Sequence, residues 1–209
     1  MRRPVVALAL VGLLGTGCAR STGIGEDPVD PGRPVPGAVP AGLGPVTTRP
    51  PTTPLVLDDG TGAELCLGEV EDTAPPRCPG TTVPLAGWDL ADAGSSQEQD
   101  GTRGGRYSLR GTFDGESLTV SDAVPAALYD TVRPEAVDLP PPSTPYTDTA
   151  LDGIAEEVAT LPGVLAVERD GAGHVLVDVV HDDGTLQAWS DERYGADVVV
   201  LTSALVPAG

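Results

Sequence analysis

The sequence predicts a mixed α+β protein, in which a small all-β unit stapled by a disulfide is followed by a small helix-strand-strand-helix-strand unit. Three observations carry that expectation. Between residues 55 and 132, short apolar runs alternate with polar residues and are punctuated by Asp-Gly turns, the pattern of hairpins. From residue 147 the spacing changes, and Leu151, Ile154, Ala155, Val158 and Leu161 recur at helical intervals. Between these patterns lies a proline cluster, Pro140-Pro141-Pro142 through Pro145, that neither a helix nor a central strand tolerates.

Taken in order, the chain opens with Arg2 and Arg3, an apolar run from Val5 to Leu14, and the small residues Gly15-Thr16-Gly17 before Cys18. This is the layout of a secretory signal peptide over residues 1–17. The run is too short for a membrane span, which needs about 20 apolar residues. Residues 18–53 are rich in Pro, Gly and Thr and have no apolar periodicity. Such a composition buries too little surface to offset its ordering entropy. The sequence therefore predicts an extended, disordered spacer there, rising about 3.1 Å per residue where proline dominates.

Residues 54–132 read as the β unit. Leu55-Val56-Leu57 and Leu65-Cys66-Leu67 are apolar triplets around the turn Asp58-Asp59-Gly60. Arg106–Phe113 alternates, with Tyr107, Leu109 and Phe113 on one face, and Leu118 and Val120 face the same way after Asp114-Gly115. Residues 133–146 are read as a linker. In residues 147–209, Thr147, Asp148 or Thr149 caps a helix that Pro162-Gly163 ends. Val164–Arg169 and His174–His181 are read as strands about the turn Asp170–Gly173. Thr185–Tyr194 is read as a second helix, stopped by Gly195, and Val198–Leu205 as one last strand. A helix between the last two strands implies a right-handed crossover and a parallel pair.

Composition restricts the partners. The formal net charge is −19, from 31 acidic residues against 12 basic ones, every one of them Arg. Such a surface repels the phosphates that cationic nucleic-acid sites attract, so no nucleic-acid partner is expected. Aromatics make up only 3% of the chain, which predicts small cores of Val, Leu and Ala. Small cores need staples.

A cysteine directly after small residues, Leu14 to Cys18, resembles the lipobox of bacterial lipoproteins. One position departs from the usual pattern, with Gly15 where a leucine is common and Leu14 one place earlier. The resemblance implies cleavage before Cys18, acylation of its thiol, and a membrane-anchored chain on the extracytoplasmic face of the cell membrane. Two acyl chains anchor stably where one does not. With Cys18 acylated, Cys66 and Cys78 are the two remaining thiols of an exported chain, and pairing is the default. Glu64–Asp89, with Cys66, Pro75-Pro76, Cys78 and Gly87-Trp88-Asp89, resembles uncharacterised secreted lipoproteins of actinobacteria, as does the tail from Asp191 to Leu205. These likenesses imply no activity. The helix-strand-strand-helix-strand order is also similar to BON domains, which implies membrane or partner binding; His181 and Asp182 stand where those domains carry a glycine.

No motif in the chain carries chemistry. The two histidines, His174 and His181, are seven positions apart and would face opposite sides of one strand, at strand ends or on the surface. There is no Gly-x-Ser-x-Gly nucleophile elbow, and without Lys there is no phosphate-binding P-loop. Asp58-Asp59-Gly60 and Asp182-Asp183-Gly184 lack the spacing of a calcium loop and read as turns. Trp88 and Trp189 read as core residues. The sequence thus predicts no catalytic residue, no metal site and no cofactor. It points to a non-enzymatic binding or interaction module with an envelope protein partner, and a cell-envelope hydrolase with an unrecognised site is the alternative.

Overall fold

A computed structural model describes residues 34–129 and 138–209. Residues 1–17, read from the sequence as a signal peptide, Cys18, read as the lipidation site, and the first part of the segment read as a spacer lie outside the described residues, as do residues 130–137. The chain is mixed α+β, with two sheets and two α-helices among the described residues.

The larger sheet is organised by one long strand. β1 (Pro45–Thr48), β2 (Leu55–Asp58), β3 (Ala63–Cys66), β4 (Thr82–Ala86) and β5 (Gln97–Gln99) lead to β6 (Thr102–Phe113), which turns back as β7 (Leu118–Pro125). β6 spans 12 residues and is paired along both edges, by β2 then β1 on one side and by β5 then β7 on the other. The pairings β6-β2-β3-β4-β7 return to β6 and close a small ring. Closure removes the unpaired edges that an open sheet would expose. Inward residues alternate along the strands as the period of two requires, and Val56, Leu65, Tyr107, Leu109 and Leu118 are fully buried.

The second part begins at α1 (Asp148–Val158), whose Thr147 side chain accepts a hydrogen bond from the Ala150 N–H. β8 (Val164–Arg169) pairs antiparallel with β9 (Val175–Val179). α2 (Thr185–Tyr194) then crosses over to β10 (Val199–Ser203), which runs parallel to β9. Val175, Val177 and Val179 point into a core with Leu151, Ile154, Val158, Leu186 and Trp189 from the helices.

Three differences from the sequence reading have physical causes. The last strand is two strands: β10 ends at Ser203, and β11 (Leu205–Pro207) joins the larger sheet on the outer edge of β1. The switch occurs where the β9 ladder ends. Ala204 and Leu205 still donate to the carbonyls of Val179 and Val180 at 2.8 and 2.9 Å, but the Ala204 carbonyl already accepts from the Arg49 N–H. The spacer reading over 18–53 also reaches too far. Val46 and Thr48 of β1 are buried, and Val39 packs on the ring's core, because Val-Thr-Thr supplies one β-branched alternation between prolines. Finally, Asp138–Tyr146, inside the segment read as a linker, lies against the second sheet, where the Ser143 N–H donates to the Ala196 carbonyl at 2.9 Å.

Candidate functional site

Cys66 and Cys78 form a disulfide. Cys66 is the last residue of β3 and buried, while Cys78 lies on the loop that leads to β4. The loop is held a second time where Gly68 and Gly80 pass each other. A Cβ on either would stand 2.8 Å from a backbone nitrogen of the other strand of the loop, so only glycine fits this approach.

This staple forms one wall of a cleft at the junction of the two sheets. The cleft encloses about 420 Å³. Arg49, Thr52 and Pro54 come from the turn between β1 and β2, and Leu67 and Glu69 from the disulfide loop. Leu165, Asp178 and Ser203 come from the second sheet, on the face away from the helices. Strand alternation explains the last group: with Val177 and Val179 turned toward α1 and α2, Asp178 must point the other way. The cleft thus combines an apolar floor with charges of both signs, and it exists only because β11 carries the chain from one sheet to the other. A further hollow of about 560 Å³ lies across the disulfide, lined by Asp59, Glu64, Arg77 and Asp100.

The histidines are at strand ends, flanking β9, but both are buried rather than on the surface. His181 Nδ1 lies 2.8 Å from the Leu205 carbonyl, to which it must donate, and its ring meets Phe113 edge-on at 5.8 Å. It thereby ties the end of β9 to the first residue of β11. His174 Nδ1 pairs with the Asp170 carboxylate, and Nε2 lies 2.9 Å from the Pro140 carbonyl. A carboxylate–imidazole pair is two-thirds of a hydrolytic triad, but in a triad the outer nitrogen takes the proton of a nucleophile. Here that nitrogen faces a backbone carbonyl.

The acidic turns work as local structure. Asp58 accepts from the N–H groups of Gly60 and Gly62, and Asp59 from that of Thr61. Hydrogen bonds from Thr61 hold the Asp59 carboxyl below its usual range. The Asp182 carboxylate accepts from Leu186 and Gln187 and so caps α2 in place of its Gly184. Among the described residues, no group of three or more His, Cys, Asp or Glu side chains is placed to hold a metal ion. Trp189 is buried in the second core, and half-buried Trp88 meets Tyr107 edge-on at 5.1 Å.

The cleft residues are not legible as a site in the sequence. They come from five separate segments, and only the switch at Ala204 brings them together. No helix among the described residues is long and apolar enough to cross a membrane. No protein-family model, no curated protein and no solved structure matches the chain.

Proposed function

We propose that the chain is an exported lipoprotein, anchored by acyl chains on Cys18 at the outer face of the cell membrane, that acts as a non-enzymatic binding module. The observation that carries this reading is the Cys66–Cys78 disulfide. Disulfides persist in oxidising compartments and are rare in the cytosol. Pairing also accounts for two of the 3 cysteines and leaves Cys18, directly after its small residues, for the lipid. In this reading the disulfide-stapled β unit and the helix-strand-strand-helix-strand unit act as one body held off the membrane by the proline-rich segment. The junction cleft, apolar with charges at its rim, is the surface offered to an envelope partner.

Cell fractionation of the Cys18→Ala variant tests the proposal. The wild-type chain is expected in the membrane fraction, and the variant in the medium or retained with an uncleaved leader. Identical fractionation of the two would remove the basis for anchoring.

A further inference from the structure

We infer that His174 is a proton-operated latch, which in its doubly protonated form holds the strap Asp138–Tyr146 against the second sheet.

The argument starts from hydrogen-bond inventory. The His174 ring is buried, and each of its nitrogens faces an acceptor that carries no hydrogen. Nδ1 meets Oδ2 of Asp170, and Nε2 lies 2.9 Å from the Pro140 carbonyl. A neutral imidazole has one N–H and one lone pair, so it satisfies one of these contacts and turns a lone pair against the other. Only the imidazolium donates to both. Asp170 is itself fixed as an acceptor, since its Oδ1 receives the N–H groups of Ala172 and His174 at 2.7 and 3.1 Å.

The two acceptors belong to different parts of the chain. Asp170 sits on the turn between β8 and β9, and Pro140 on the strap that precedes α1. The strap makes three more contacts with the same region. Pro142 packs on Gly173, where a Cβ would stand 3.2 Å from its ring. The Ser143 N–H donates to the Ala196 carbonyl at 2.9 Å, and the Tyr146 hydroxyl to the Tyr194 carbonyl at 3.1 Å. Through Tyr146 the strap satisfies a carbonyl that the end of α2 leaves without a helical partner. His174 is the one titratable member of this set whose charge changes near neutral pH.

The surrounding charges favour the cation. Asp170 on the turn and Asp197 on the loop before β10 both act on the ring, and Asp138 is the carboxylate of the strap, two residues before Pro140. Burial alone would push the imidazole down, but the Pro140 carbonyl and Asp170 outweigh it and hold His174 above its ordinary range. A raised folded-state value means that the stabilisation is complete below the ordinary imidazole range and is lost as pH rises through the raised value. The strap is latched in mild acid and loosens on the alkaline side.

The test uses the full chain. NMR titration follows the imidazole signals of the two histidines, with His174→Gln for assignment. Hydrogen exchange reads the amides of residues 138–146 from about pH 5.5 to about 8.5, corrected for intrinsic exchange. His174 is expected to titrate above about 6.5, and strap protection to fall between about 6.5 and that midpoint, with a limiting slope of about tenfold per pH unit for one linked proton, and to level off above it. His174→Gln should flatten that dependence. A midpoint at or below about 6.5, protection independent of pH in the wild type, or the same slope in the variant would each overturn the latch. If His174→Gln does not fold, the wild-type titration and exchange decide alone.

Discussion

At Gly111 the backbone leaves no room for a side chain. A Cβ there would lie 2.1 Å from the Thr119 carbonyl oxygen across the β6–β7 hairpin. The register of the hairpin slips between Arg110 and Gly111, so the close approach belongs to a bulge that lets one strand serve two neighbours. Gly111→Ala must push the strands apart, and a loss of roughly 1–3 kcal/mol is expected, read from the urea midpoint at unchanged slope. A loss below about 0.5 kcal/mol would show that the bulge relaxes freely. Asp170 matters for a different reason. It is held below the usual carboxylate range: burial works against this, but its bonds from His174 and Ala172 prevail. Its contribution is present above the ordinary carboxylate range and is lost as pH falls through its lowered value. That of His174 is lost as pH rises. Asp170→Asn should therefore destabilise most in the window between the two, by about 3 kcal/mol, because it leaves a buried imidazolium without its counter-charge. A stability deficit that is constant from mild acid to mild alkali would contradict the pairing.

At the scale of elements, the Cys66–Cys78 bond closes a loop with a sequence separation of 12. Replacing both cysteines by alanine should cost about 3 kcal/mol, measured by denaturant unfolding, and reductant should then have no further effect. A variant as stable as the oxidised wild type would mean that the glycine crossing alone holds the loop. This staple and the elements around it were readable because their signals are local. Asp114 accepts from the N–H groups of Glu116 and Ser117 in the turn of the hairpin, and Tyr107, Leu109 and Phe113 alternate inward before it. The Leu151, Ile154 and Val158 stripe of α1 is likewise local and is buried. β1 and β11 were not readable. Each is a short piece beside prolines, and each becomes a strand only through partners far away in sequence, β11 by pairing with β1 and β1 by pairing with β11 and β6. The burial of His174 and His181 was missed on the same ground, since Pro140 and Leu205 supply their partners from outside the β8–β9 hairpin. The junction cleft follows from β11 and was hidden with it.

Over the whole molecule, the consequence of β11 is that the larger sheet is not complete without residues from the second half of the chain. Leu205, Val180 and Leu165 from the second half pack into the core of the ring. A segment of about 60 residues buries only about 60% of its unfolded surface and is marginal alone. The fragment 147–209, which would lose β1 as the partner of β11, is expected to melt earlier than residues 34–209 or without a cooperative transition. The longer chain should melt in one step. Equal, independent melting would make the shared core energetically idle. The acidic surface, at a net −19, gives this body no electrostatic reason to approach anionic lipid headgroups, so the proposed residence at a membrane would rest on the acyl chains alone. The most direct measurement is therefore the intact mass of the chain extracted from cell membranes. The mass expected is that of residues 18–209 with the Cys66–Cys78 bond and with acyl groups that map to Cys18. An unmodified chain that still begins at Met1, or one cut elsewhere with Cys18 bearing a free thiol, would contradict anchoring.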